Sequence, residues 1–249
     1  IIGAGVVGLC VANELLTRNV KVRIFDKKAK VGPHACSWWA GGMLAPFCES
    51  ESAEEAVCRF GQESAEWWDK RTNVIKHGSL VVASSRDAAD FNRFKRLTSN
   101  HELVSGKAMT ELEPELSDRF SQALFFKKEA HIDPRIALSD LTNQLNQAGV
   151  EISTAEPPKN LSNYIDCRGL AAKDRLPDLR GVKGEMLVIR SKDVVFQRPI
   201  RLLHPRLPLY IVPRENGIFM LGATSIESQD SENVSVRSML ELLSAAYAL

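Results

Sequence analysis

The chain has 249 residues, 44% hydrophobic and 25% charged, enough to bury a substantial core in one large or two intimately joined globular domains. Lys+Arg 32 against Asp+Glu 31 leaves a formal charge of +1, so no field exists to gather nucleic acid or an anionic membrane. The five cysteines form an odd set with no C-x-x-C pair, and no signal peptide or long apolar span is visible, so free thiols, a reducing cytoplasm and no integral membrane segment are expected.

The chain opens on Ile1-Ile2-Gly3-Ala4-Gly5-Val6-Val7-Gly8-Leu9, a strand running into a glycine turn that starts a helix. Gly3 allows the tight turn, Gly5 lets backbone amides approach a pyrophosphate, and Gly8 lets the helix pack on the strand. The phosphate would sit on the helix N-terminus, where unpaired N–H groups and the dipole favour negative charge. Leu9, Ala12, Leu15 and Leu16 form an apolar stripe at helical spacing, and 20–25 reads as the next strand. That strand ends in Asp26, an acid placed to accept hydrogen bonds from an adenosine ribose. An ordinary glycine turn with a solvated Asp26 is the competing reading. Only Ile1 and Ile2 precede the turn, so further residues are expected ahead of them.

The run 31–46 is too rich in glycine and small residues for an ordinary helix. Ser37 offers a hydroxyl, and Gly41 and Gly42 leave room for a flat ligand; the alternative is a loop closing over the core. A long helix is expected over 54–76, with Val57, Phe60, Trp67 or Trp68 and Ile75 inward. His77-Gly78 breaks it, and a second lobe starts: strand 79–84, helix 87–97, a short helix 107–116 ending at Pro114, and strand 123–126. Asp133-Pro134 reads as N-cap plus first-turn proline of a helix carrying Leu138, Leu141, Leu145 and Ala148, closed by Gly149. Strands at 150–153 and 164–169 return the chain to strand and helix alternation. From Gly184 the texture is β, with strands 185–189, 209–212 and 218–221, the last two joined through an Asn216-Gly217 turn. A helix over 235–249, with Val236, Met239, Leu240 and Leu243 on one stripe, stops without a cap, so the chain is expected to continue.

These elements predict an α/β fold: a doubly wound, Rossmann-like dinucleotide domain into which a mostly antiparallel β substrate domain (α+β) is inserted twice. The expected boundaries are 1–76 and 130–176 for the first, completed beyond the C-terminus, and 77–129 and 177–249 for the second, the last helix leading back toward the first. No nucleophile has a convincing partner, and His34, His77, His101, His131 and His204 lack metal-ligand spacing, so no metal is expected. The residues point to an oxidoreductase without choosing among NAD, NADP (through Lys27 or Lys28) and a flavin, although the small-residue stretch 40–45 favours the flavin.

Seven segments in order carry a resemblance: Gly3-Ala-Gly-Val-Val-Gly8, Asp26, Ala40-Gly-Gly-Met-Leu-Ala-Pro46, His131-Ile-Asp-Pro134, Gly181-Val-Lys-Gly-Glu-Met186, Tyr210-Ile-Val-Pro-Arg214 and Gly222-Ala-Thr224. Along its whole length the sequence resembles the D-amino acid oxidase superfamily of FAD enzymes, most closely its glycine oxidase branch, which serves thiamine biosynthesis. The resemblance implies FAD in extended form, with Val6 and Val7 in the pyrophosphate turn, Asp26 and Lys27 at the ribose, and Cys36 and Ser37 on the phosphate and ribityl side. Gly41, Gly42 and Met43 match the segment at the isoalloxazine ring, and Gly169 matches a glycine near the cofactor. Met43 would also border the substrate, and Tyr210 would hold its carboxylate together with an arginine beyond Leu249. Cys36, where a hydroxyl is common, and Pro158, where valine is usual, depart from the pattern.

The implied activity is oxidation of glycine or another small amino acid to its imine by hydride transfer to flavin N5, with O2 reduced to H2O2. No protein acid or base is certain in that step; positioning supplies the catalysis. Homo-oligomerisation is left open. Two other functions stand beside this one: a related oxidase or dehydrogenase for sarcosine or a D-amino acid, and a non-catalytic flavin-binding module.

Overall fold

In the computed structural model, which describes residues 1–158, 160–161, 163–204 and 207–249, the chain divides into two compact units. Residues 1–40 and 133–181 form the first; 41–132 and 182–249 form the second.

The first unit is built on a small parallel array. Ile24–Phe25 pairs in parallel with Ile152–Ser153, and Ile2 bridges Phe25 on one side and Asp166 on the other, also in parallel. The helix Val6–Thr17 makes the crossover between Ile2 and Ile24, as parallel neighbours require. The helix Pro134–Gln147 packs beside it: the buried Asn13 amide donates to Leu9 O at 2.9 Å and to Leu141 O of the second helix at 3.2 Å. Asp133 is the expected N-cap, its carboxylate accepting from the Arg135 and Ile136 amides. The predicted strands 20–25, 150–153 and 164–169 are shorter than expected. Asn19 and Gly149 adopt positive φ (60° and 76°), and the amides of Val20 and Val150 close back on Leu15 and Leu145. The residues just after each helix thus reverse the chain before pairing begins.

The second unit centres on a seven-stranded sheet among the described residues, in the order Glu102–Ser105, Gln122–Phe126, Ser79–Ala83, Ile200–Leu203, Leu209–Pro213, Ile218–Gly222, Leu187–Arg190. All neighbours are antiparallel except Ser79–Ala83 with Ile200–Leu203. Period-two alternation sorts the side chains. Leu80, Val82, Ile200, Leu202, Leu209 and Ile211 enter one core with Met109, Leu116, Phe120 and Leu242. Val81, Leu124 and Leu203 enter the other with Ala45, Cys48, Phe91 and Phe94, and Met43, Phe47 and Tyr210 pack against it. Asn216 and Gly217, both at positive φ, make the predicted hairpin turn.

Several expectations are corrected. The helix over 54–76 is broken into Glu55–Gly61 and Ser64–Asp69, with Val57 and Phe60 53% and 64% exposed. Gly61 lies so close to Pro46 that a Cβ there would meet the proline ring at 2.9 Å, and the chain turns at that contact; Trp68 does enter the core. The stripe on the last helix, Val236–Ala246, faces outward: Val236 is 84% and Leu240 67% exposed, whereas Ser238, Leu242 and Ala245 are buried. Small Ser238 and Ala245 permit the closer approach. Residues 41–76 and 130–132 group with the second unit, where Met43–Leu44 pairs with Ala130–His131 and Ala45 and Cys48 share a core with Val81 and Leu124. The strands Glu102–Ser105 and Ile200–Leu203 were not foreseen.

Candidate functional site

In the first unit the glycine turn has the form its spacing requires. Gly3 is at φ +102, and a Cβ on it would lie 2.5 Å from the Cys167 carbonyl oxygen; one on Gly8 would lie 1.9 Å from the Gly3 carbonyl oxygen. Gly5 is different: its nearest neighbour is Ser37 Oγ at 3.7 Å, so this position is open at the start of the helix. The buried Ser37 hydroxyl accepts from the Val6 amide at 3.2 Å, which leaves its own proton available to a ligand oxygen. Asp26 accepts from the Ala4 amide at 2.7 Å through Oδ2 and from the Lys28 amide at 3.0 Å through Oδ1, so the carboxylate is fixed beside the turn with lone pairs to spare. Lys27, Cys36 and Gly169 are exposed, Val7 is 59% exposed, and Gly169 holds φ +58 with open space where a side chain would be. Arg135 lies over the rings of Trp38 and Trp39 and pins the Cys36–Trp39 turn that carries Ser37. An open glycine at a helix start, a spare hydroxyl proton and a fixed acid one strand away suit the pyrophosphate and ribose of a dinucleotide.

In the second unit the parity that buries Leu203 also directs Arg201 and Tyr210 to the face covered by residues 43–49 and the helix Ala88–Leu97. Tyr210 and Arg201 are cross-strand partners, and the Arg201 guanidinium lies 5.1 Å from the Tyr210 ring centroid and 4.8 Å from that of Phe94. Arg201 donates to the Cys48 carbonyl at 3.1 Å and to Glu51 at 3.0 Å; Arg93 also donates to Glu51. The Tyr210 hydroxyl donates to Glu49 Oε1. Burial and the surrounding anions push the phenol well above its ordinary pKa, so it stays protonated and a donor. Gly42 holds φ +78 and its carbonyl accepts from the Ile132 amide at 2.9 Å, while a Cβ on Gly41 would meet Met220 Cε at 2.7 Å. Met43 and Tyr210 border one apolar cluster.

Beneath this face Glu129 accepts from the Cys48 amide at 2.6 Å and from the Ser79 hydroxyl, and burial raises its carboxyl to about 7. Burial lifts the Cys48 thiol to about 12, so it is inert at neutral pH. The His131 imidazole, also buried, is held down at about 4. No group of His, Cys, Asp or Glu among the described residues could hold a metal ion. Glu49, Arg201 and Glu129 were missed in the sequence. The one signal was Arg201, a charge inside an otherwise apolar Ile-Arg-Leu-Leu run.

The family described as FAD dependent oxidoreductase (DAO) matches residues 1–249. A Rhizobium etli protein assigned to thiamine biosynthesis as the oxidoreductase ThiO is 47% identical over 252 residues, 99% of this chain and 77% of that protein. The bifunctional protein ThiO/ThiG of Trichormus variabilis is 24% identical over 257 residues, 90% of this chain but 39% of its own length. Among solved structures, glycine oxidase from Geobacillus kaustophilus is similar at TM-score 0.77 and 19% identity, covering 100% of this chain and 76% of that one. L-α-glycerophosphate oxidase from Mycoplasma pneumoniae with FAD bound has a TM-score of 0.76 at 17% identity, covering 99% and 77%. Both share the fold.

Proposed function

Because the chain belongs to the FAD-dependent oxidoreductase family that matches it from residue 1 to 249, we propose that it oxidises a small amino acid, glycine foremost, as the imine-forming step of thiamine thiazole assembly. The observation that carries this reading is the 47% identity to the Rhizobium etli ThiO protein across 99% of the chain. The fold and the FAD cofactor follow from the family; the substrate is our inference.

The Ser37 hydroxyl, the Gly5 position and the turn that carries Val6 and Val7 would hold the pyrophosphate, and Asp26 with Lys27 the ribose. FAD, when bound, would supply the hydride acceptor and the route for electrons to O2, with H2O2 as the proposed product. The protein then has to bind, orient and keep water out. Tyr210, a protonated donor half-buried in an apolar face, would hold the substrate carboxylate, and Met43, packed against the same apolar cluster, would border the substrate. Orienting a small substrate in this way can supply several kcal/mol, on the order of the effective molarities of intramolecular reactions. No described helix is long and apolar enough to cross a membrane, and we place the reaction in the cytoplasm.

Peroxide yield from the full-length, FAD-loaded protein with glycine, sarcosine and D-alanine tests the proposal. Glycine should give the highest kcat/KM with stoichiometric peroxide. A preference for sarcosine or D-alanine would move the enzyme to another branch of the family, and flavin that no amino acid reduces would make the protein a binding module.

A further inference from the structure

The Tyr210 hydroxyl is already engaged: it donates to Glu49 Oε1. A phenol has a single proton to donate, so in this arrangement its oxygen can only accept. For Tyr210 to donate to a substrate carboxylate, the proton must turn away from Glu49, and Glu49 then loses its hydrogen bond. The terminal nitrogens of the cations nearby are engaged elsewhere, while the buried Arg201 Nε makes no hydrogen bond among the described residues. Arg201 spends its terminal nitrogens on Glu51 at 3.0 Å and on the Cys48 carbonyl at 3.1 Å, and Arg93 is also paired with Glu51. Two guanidinium groups therefore match Glu51, whereas Glu49 forms no ion pair among the described residues and sets its charge against a neutral phenol. A ligand that carries its own N–H can replace the lost donor at Glu49.

We propose that Glu49 receives the amino group of the substrate, so that Tyr210 and Glu49 together recognise an α-amino acid; this rests on the reading of Tyr210 as the carboxylate contact. In an α-amino acid one carbon separates the two polar groups, which suits two protein groups that are themselves in hydrogen-bond contact. On binding, the Tyr210 proton turns to the carboxylate and an amino N–H replaces it at Glu49, so neither half-buried group is left unsatisfied. A ligand with a carboxylate and no donor breaks the Tyr210–Glu49 bond and returns nothing to Glu49. Glu49 is thus a specificity-determining residue, selecting amino acids over plain carboxylates.

The test uses the full-length, FAD-loaded protein, with dissociation constants for acetate and glycolate read from the visible flavin band and kcat and KM measured for glycine. Glu49→Gln keeps the shape and removes the charge. It should lower kcat/KM for glycine about ten- to a hundredfold, mainly through KM, as expected for losing a charge-assisted hydrogen bond. Acetate affinity should stay the same or tighten. Equal weakening of glycine and acetate, or no change in either, overturns the proposal. Tyr210→Phe should weaken both ligands; if acetate binding is unchanged there, the reading of Tyr210 fails, whatever Glu49→Gln does. Should Glu49→Gln not retain flavin, the unaltered protein still decides: glycolate, which can donate to Glu49, should bind more tightly than acetate, and equal binding of the two contradicts the role of Glu49.

Discussion

At the scale of single residues, the glycines of the first turn separate ligand contact from folding. Gly5 is the N-cap of Val6–Thr17 at φ −74, and a Cβ there would meet Ser37 Oγ at an ordinary 3.7 Å, so Gly5→Ala should cost the flavin-free protein only the poorer cap, about 1 kcal/mol. The same methyl would enter the space proposed for the pyrophosphate, and the FAD dissociation constant should rise tenfold or more in a fluorescence titration. Gly8→Ala should behave oppositely, losing stability first, because its Cβ would lie 1.9 Å from the Gly3 carbonyl oxygen. Equal flavin affinity in Gly5→Ala would remove the turn from the cofactor site. On the sheet, Tyr210→Phe keeps the ring against Arg201 and removes one hydroxyl; the expected loss in kcat/KM for glycine is that of a hydrogen bond to a charged group, about 1.5–3 kcal/mol, with the flavin spectrum nearly unchanged. Gly3, Gly5, Gly8, Asp26 and Ser37 were legible because glycine turns and strand-end acids act locally, within one turn and the next strand. Glu49 and Arg201 were not, because their meeting with Tyr210 depends on the register that sets Tyr210 opposite Arg201 across two strands.

At the scale of elements, Glu129 ties the short helix Pro46–Glu49, which carries Glu49, to the strand Ser79–Ala83. Its carboxyl rises from an ordinary 4.5 to about 7, burial outweighing the hydrogen bonds from Ser79 and from the Cys48 and Phe47 amides. A carboxyl raised on folding binds more protons folded than unfolded between those values, so its stabilisation is complete below about pH 4.5 and is lost as pH rises through about 7. Glu129→Gln mimics the protonated form, its oxygen accepting from Cys48 and its amide donating to Ser79. Denaturant unfolding of that variant should lack this part of the pH dependence and show higher stability than the parent at pH 8, by up to ~1.4 kcal/mol for each pH unit crossed. The buried His131, held at about 4, acts with the opposite sign between about 4 and 6.5; it is common to both proteins and cancels in the comparison. Parallel pH profiles would show that the Glu129 carboxyl is not raised on folding. Elements with local punctuation were readable, such as Asp133 and Pro134 at a helix start and Asn216-Gly217 in a hairpin. The strand Ile200–Leu203 was hidden by Arg201, whose charge is tolerated only because Glu51 and the Cys48 carbonyl receive it. The outward stripe of Val236–Ala246 misled for the converse reason: the face that packs carries Leu242 between the small Ser238 and Ala245, and the larger apolar stripe is exposed.

At the scale of the whole molecule, strand and helix alternation foretold the parallel array around Ile2, and the β-rich run after Gly184 foretold an antiparallel sheet. The core that Ala45 and Cys48 share with Val81, Leu124 and Leu203 was not legible, because it joins segments whose meeting the spacing in the chain does not reveal. The chemistry lay in motifs scattered from Gly3 to Thr224, which is why their order, and not any one of them, pointed to a flavin enzyme. The central claim, that this FAD-dependent oxidoreductase takes electrons from glycine, is tested most directly by the visible spectrum of the full-length protein before and after anaerobic glycine. The account predicts a yellow protein that releases FAD on heating and whose flavin band bleaches on adding glycine and returns with air. A flavin band that glycine leaves unchanged at saturating concentration would contradict it.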